Sequence, residues 1–151
     1  MTRADRTHTG LHPRFPLAVL AVLAVLALPG CGDSFSPTRD TVAGTYTATR
    51  FVTSSTGTVT DQLAGGATLT ITLTAGGITT GRLMLPASDV NGAGLDVSMA
   101  GTWSLTGDRV VFTQDADTFV RDMTFTATED DLAADETFGG TRVEITLHRG
   151  D

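Results

Sequence analysis

Residues 68–74 read TLTITLT, and this short segment decides the fold class. Its leucines and its isoleucine alternate with threonines, so an extended chain would carry the apolar side chains on one face and the hydroxyls on the other. The same alternation recurs in residues 123–128 and 143–148, whereas no segment after Gly44 shows the period of an amphipathic helix. The pattern therefore predicts an all-β domain.

Turn signals built from glycine, asparagine and aspartate separate the alternating segments at intervals of about 10–12 residues. The expected strands are 43–53, 67–75, 78–85, 95–100, 102–106, 109–114, 119–128, 131–136 and 140–148. Such short connections favour an antiparallel meander, closed as a barrel or folded as a sandwich. Because each strand has a single apolar face, we expect one sheet closed on itself, an up-and-down barrel of about eight or nine short strands.

Residues 1–30 have the features of a cleaved signal peptide. Three arginines (Arg3, Arg6 and Arg14) precede an unbroken apolar run of 12 residues at 17–28. A helix that spans a membrane needs about 20 apolar residues, so the run is typical of a signal core rather than of a permanent anchor. The sequence therefore predicts an exported protein.

The segment Leu28-Pro29-Gly30-Cys31, directly after the apolar run, resembles the lipobox of bacterial lipoproteins. The resemblance implies that the signal is removed before Cys31 and that Cys31 carries acyl chains that bind membrane lipid. It divides the chain into a signal peptide (1–30), a lipidated cysteine with a short tether (31–42) and a β domain (43–151). Gly32 replaces the aspartate that retains such proteins at the inner membrane of enteric bacteria, so we expect the outer membrane or the cell surface.

The composition of residues 31–151 excludes several function classes. Seven arginines and 16 acidic residues give this part a net charge of −9, which argues against nucleic acid as a partner. Its one cysteine, Cys31, and its one histidine, His148, provide neither a disulfide framework nor a catalytic nucleophile with its base. The acidic segment 89–96 lacks two ligands of a calcium-binding loop. We expect a monomer that is not an enzyme and needs no metal or cofactor.

The opening of the first strand, Gly44-Thr45-Tyr46, followed by about eight short strands, resembles the lipocalin-like (calycin) lipoproteins of bacteria. The resemblance implies that an arginine of the last strand, Arg142 or Arg149, packs over the Tyr46 ring. The segment GTWSL at residues 101–105, which contains Trp103, has a similar character although it lies in the middle of the chain.

A ligand site inside the barrel is the first functional hypothesis. Counting by twos from Tyr46 and from Phe125 places Arg50 and Arg121 on the inner face, and the resemblance implies that such arginines hold a ligand carboxylate. Together with Trp103, these residues would bind a small apolar or amphipathic molecule, such as a fatty acid. Two alternatives stay open: a bulge could turn the arginines outward, and the barrel could be filled by its own side chains in a structural or interaction lipoprotein.

Overall fold

Ten strands and two one-turn helices form residues 35–87 and 94–151, the part of the chain that the computed structural model describes. The elements are α1 (Arg39–Val42), β1 (Gly44–Ser55), β2 (Thr58–Asp61), β3 (Thr68–Leu73), β4 (Ile78–Leu85), β5 (Leu95–Ser98), β6 (Gly101–Thr106), β7 (Arg109–Gln114), α2 (Phe119–Asp122), β8 (Thr124–Ala127), β9 (Asp131–Phe138) and β10 (Thr141–Arg149). The predicted signal peptide, the lipidation of Cys31 and most of the acidic segment 89–96 lie outside the described residues. Neither helix in the described ranges is long and apolar enough to cross a membrane.

The strands form a closed antiparallel barrel. Around the wall the order is β1, β3, β4, β6, β7, β8, β9 and β10, and the pairing of β10 with β1 closes the eight-stranded circle. Strand β5 pairs with the second half of β4, and the short β2 pairs with the end of β1. The predicted all-β antiparallel barrel is therefore confirmed, with two short strands added to the eight of the wall.

Alternation along the strands fills the interior with apolar side chains. Strand β3 shows it most simply, because Leu69, Ile71 and Leu73 are buried while the threonines between them are at least partly exposed. On the neighbouring strands β7 and β8, the rings of Phe112 and Phe125 meet edge to face with centroids 5.3 Å apart. The apolar face read from the sequence is the face that forms the core.

Two glycines allow the strands of the wall to approach closely. A β-carbon on Gly81 of β4 would lie 2.0 Å from the carbonyl oxygen of Thr70, and one on Gly101 of β6 would lie 2.2 Å from that of Thr113. Both residues also have positive φ angles, of 140° and 155°. At these positions only glycine fits the ladder without moving the neighbouring backbone.

Helix α1 covers the end of the barrel at which β1 begins. Val42 is buried, and its carbonyl oxygen accepts a hydrogen bond of 2.8 Å from the hydroxyl of Tyr46. Arg149, on the last strand, donates to the carbonyl oxygen of Thr41 at 2.6 Å. At the first residue of the helix, the guanidinium of Arg39 lies 5.8 Å from the centre of the Trp103 ring, within the range of a cation–π contact. Residues 39–42, the last part of the predicted tether 31–42, are therefore attached to the barrel wall by these contacts.

Candidate functional site

Three of the residues predicted to bind a ligand do face the interior, where they pack into the core. Tyr46, Trp103 and Phe125 are 1%, 3% and 0% exposed. The indole N–H of Trp103 donates to the carbonyl oxygen of Thr74 at 2.9 Å, so both polar aromatic groups of the core have partners within the protein. Burial raises the pKa of Tyr46, and it outweighs the opposing effect of the nearby Arg149.

The expectation that Arg50 faces inward is wrong. The pairing of β1 with β10 shifts by one residue between Ala48 and Arg50, so Thr49 is the extra residue of a bulge. After the bulge the faces exchange: Phe51 enters the core and Arg50 turns outward, where its Nη2 lies 2.5 Å from a carboxylate oxygen of Glu144. Counting by twos fails wherever a strand contains a bulge.

The expectation that Arg121 faces inward is also wrong. Residues Phe119–Asp122 form α2 instead of the start of a long strand 119–128, so the period of two does not apply to them. Val120 is the buried residue of this turn, and Arg121 lies at the surface, 2.5 Å from a carboxylate oxygen of Asp117 and 2.9 Å from one of Asp122. The guanidinium is already paired and has no access to the barrel interior.

Of the two arginines considered as neighbours of Tyr46, Arg149 occupies that place. The two residues are direct partners in the β1–β10 ladder. The Arg149 guanidinium also donates to the carbonyl oxygen of Glu129 and to the Asp130 carboxylate. Arg142 instead points outward, with its guanidinium on Asp135 and 2.7 Å from Glu144.

The described residues form a groove of about 540 Å³ on the outside of the wall. Its lining residues are Arg50, Arg109, Thr124, Thr126, Ala133, Ala134, Asp135, Glu136, Glu144, Ile145 and Thr146. Eight of these eleven residues occupy the strand positions that alternate with the buried core residues, so the groove lies mainly on the outer face. The other three, Ala134, Glu136 and Ile145, belong to the inner-face positions of β9 and β10. Its volume lies within the range of about 300–1,000 Å³ that is usual for small-molecule sites.

One row of neighbours across five strands explains the shape of this outer groove. The ladders pair Arg109 with Thr126, Thr126 with Ala133, Ala133 with Thr146, and Thr146 with Arg50. Small side chains therefore occupy the middle of the row, and a long cationic side chain stands at each end. The floor is low because alanine and threonine rise little above the sheet.

The floor of the outer groove includes a seam in the wall. Strands β8 and β9 pair at only two positions, Thr126 with Ala133 and Ala127 with Leu132. Beyond these pairs the carboxylate of Glu136 accepts a hydrogen bond of 2.7 Å from the backbone N–H of Thr124. A side chain thus replaces the backbone ladder at this point, and it brings a carboxylate to the groove.

Most charges around the outer groove neutralise one another. Glu144 lies between Arg50 and Arg142, and Arg142 also binds Asp135 through two hydrogen bonds. The hydrogen bonds from Arg142 hold the pKa of Asp135 below its ordinary value. This chain of alternating charges fixes one wall of the groove.

Arg109 and Glu136 stand outside this network of ion pairs. Among the described residues, the only carboxylate within 4.0 Å of the Arg109 guanidinium is that of Asp108, at 3.8 Å. No arginine or histidine in the same ranges forms a salt bridge with Glu136. Neither residue is distinctive in the sequence, because only the cross-strand registers bring the two to one groove.

No family model, curated protein or solved structure matches the chain. Within residues 35–87 and 94–151, no group of three or more His, Cys, Asp or Glu side chains is arranged to hold a metal ion.

Proposed function

We propose that this protein is a membrane-anchored lipoprotein of the bacterial cell envelope whose barrel is an interaction module with a core of its own side chains. The observation that carries the proposal is the packing of the interior. The residues that would line a ligand cavity, Tyr46, Trp103 and Phe125, are all buried in the core. The Tyr46 hydroxyl and the Trp103 indole N–H each donate a hydrogen bond to a backbone carbonyl oxygen of the protein. Both arginines that would hold a ligand carboxylate lie outside.

The burial of the core speaks against an interior carrier of fatty acids. A carrier needs an inner volume that an alkyl chain can enter and a cation or donor for its headgroup. Here the buried side chains are mostly apolar, at 0–8% exposure, and the rings of Phe112 and Phe125 meet edge to face. The charges that could recognise a partner are on the outer surface.

A thermal-shift experiment on the purified full chain tests the filled interior. Laurate, palmitate and oleate should leave the melting temperature of the wild type unchanged. Phe125→Ala provides a matched control, since removal of a ring from an apolar core leaves a cavity that can bind benzene. Benzene should therefore raise the melting temperature of Phe125→Ala and not that of the wild type. A dose-dependent rise of the wild type with any of the fatty acids would overturn the proposal in favour of a ligand carrier.

The lipid anchor has its own test in a bacterial host. The wild type should fractionate with membranes, and mass spectrometry should show a chain that begins at Cys31 with added acyl mass. Cys31→Ser should release the protein from the membrane fraction. Recovery of the wild type as a soluble protein with a free thiol would contradict the anchor and leave the question of the interior untouched.

A further inference from the structure

We propose that the outer groove binds a small zwitterion that carries an ammonium group and a carboxylate, the chemistry shared by free α-amino acids and short peptides. The proposal goes beyond the proposed function, because it concerns the outside of the wall and does not depend on the anchor. It rests on one feature: a cation and a carboxylate without close ion-pair partners line the same groove.

Arg109 supplies the cation. It stands at one end of the row of small side chains, next to Thr126 on β8. Its side chain is 59% exposed, and Asp108 is too far, at 3.8 Å, for a strong hydrogen bond. A guanidinium presents five N–H donors in a planar fork, the geometry that binds a carboxylate through two parallel hydrogen bonds. The hydroxyls of the flanking threonines in the groove add donors and acceptors at its floor.

Glu136 supplies the carboxylate. Its Oε1 accepts the Thr124 N–H, which holds the carboxylate in the seam between β8 and β9 and leaves acceptor capacity for a further donor. Its backbone is fixed by the β9–β10 ladder, in which Glu136 pairs with Val143. The carboxylate is therefore positioned by two elements before any ligand arrives.

The separation of the two groups suits a ligand with charges at its two ends. The Cα atoms of Arg109 and Glu136 are separated by two strand spacings across the sheet and three residues along β9, about 14 Å in all. Both side chains line the groove, and no salt bridge of 4.0 Å or less joins their charged groups. An extended dipeptide spans about 7 Å, which is short enough to lie between residues whose Cα atoms are about 14 Å apart.

The balance of charge in the outer groove selects a zwitterion over a simple ion. A purely anionic ligand at Arg109 would also face the carboxylates of Asp135, Glu136 and Glu144. A purely cationic ligand at Glu136 would leave the Arg109 guanidinium unpaired and close by. Because like charges at short range repel, only a ligand that carries both a positive and a negative charge can pair with the Arg109 guanidinium and the Glu136 carboxylate at once.

Isothermal titration of the detergent-solubilised full chain with L-alanyl-L-alanine tests the proposal. We expect saturable binding of the dipeptide. N-acetylation, which removes the ammonium charge, and C-terminal amidation, which removes the carboxylate, should each weaken binding about tenfold or more. L-alanine provides the second arm: tighter binding of the amino acid than of the dipeptide would assign the groove to free amino acids, and the reverse would assign it to peptides.

Two substitutions connect the binding to the groove. Arg109→Gln should weaken the dipeptide about tenfold or more and leave the affinity for its C-terminal amide unchanged, because the amide no longer depends on this cation. Glu136→Gln keeps an oxygen for the Thr124 N–H and removes the charge, so it should weaken the dipeptide and leave the affinity for the N-acetyl form unchanged. Arg82→Gln is the matched control, since Arg82 is an exposed arginine of β4 that is already paired with Asp96 and does not line the groove.

Three results would overturn the proposal. They are no binding of dipeptide or amino acid at millimolar concentration, equal binding of the blocked forms, and equal loss in Arg109→Gln and Arg82→Gln. Failure of the proposed function has a different signature. Fatty acids would then raise the melting temperature of the wild type, and Arg109→Gln and Glu136→Gln would show the same rise. The two outcomes are therefore distinguishable on the same protein.

Discussion

The hydrogen bond between Tyr46 and Val42 is a single-atom test of how α1 is held on the barrel. Tyr46→Phe removes the hydroxyl that donates to the Val42 carbonyl oxygen and leaves the ring in place. Both residues are 1% exposed, so water cannot replace the lost donor without opening the end of the barrel. The lost bond costs about 0.5–1.5 kcal/mol, and leaving a buried acceptor without its donor raises the total to about 1–3 kcal/mol.

Urea unfolding followed by fluorescence measures this cost. Trp103 is the only tryptophan and lies in the core, so its emission reports the loss of the barrel. With a slope of about 1–3 kcal/mol per molar urea, the midpoint should fall by roughly 1 M. Thr45→Val is the control, because it removes an exposed hydroxyl on the same strand, 3.0 Å from that of Thr72, and should change the free energy of unfolding by at most about 0.5 kcal/mol. Equal midpoints for Tyr46→Phe and the wild type would refute the view that this bond holds the helix.

Three further predictions concern the core and the wall. Burial raises the pKa of Tyr46 above its unfolded value of 10.0, so the neutral ring stabilises the fold below that pH and the contribution is lost as pH rises through the folded pKa. Tyr46 is the only tyrosine, so its phenolate absorbance should appear above pH 10 together with unfolding. Titration of Tyr46 at or below the ordinary pKa would contradict the burial. Phe125→Ala should lower the free energy of unfolding by about 3–5 kcal/mol in urea, and a loss below about 1 kcal/mol would mean that the core is loosely packed. Gly81→Ala should prevent formation of the β3–β4 ladder as judged by circular dichroism, whereas Gly107→Asn, at a turn with open space around it, should fold normally; two equally folded variants would contradict the close approach at Gly81.

The fold class could be predicted because its signal is local. In residues 68–74 apolar side chains alternate with threonines, and the strand β3 forms there, starting one residue after and ending two residues before the expected strand 67–75. The division of side chains between the core and the outer surface follows from the same period of two, since a strand with one apolar face must bury that face. A closed barrel could be expected, but the pair of strands that closes it, β10 and β1, could not be predicted, because the sequence of one strand does not specify its partner.

The departures from prediction come from short features that interrupt the period. One extra residue, Thr49, reverses the faces of β1 for the rest of the strand. A single helical turn at Phe119–Asp122 replaces the start of an expected strand. It follows Thr118, a residue type common before helices, although the Thr118 hydroxyl makes no capping hydrogen bond here. The strand Thr58–Asp61 was not expected at all, although the positive φ angles of Thr56 and Gly57 show that a tight hairpin precedes it.

The outer groove shows why a site can be harder to predict than the fold that carries it. Five of the eight strands of the wall each contribute a common residue, an arginine, a threonine or an alanine, and none is unusual in its own segment. The groove appears only when four registers are known together, because a slip of one residue in any of them would put a buried side chain into the row between Arg109 and Arg50. The bulge at Thr49 sets the register between β1 and β10. The same residue therefore makes the prediction of an inward Arg50 wrong and places Arg50 at the end of the groove. A search for sites on barrels of this kind should therefore examine the outer face beside each bulge and each short ladder, where the sheet departs from its regular period.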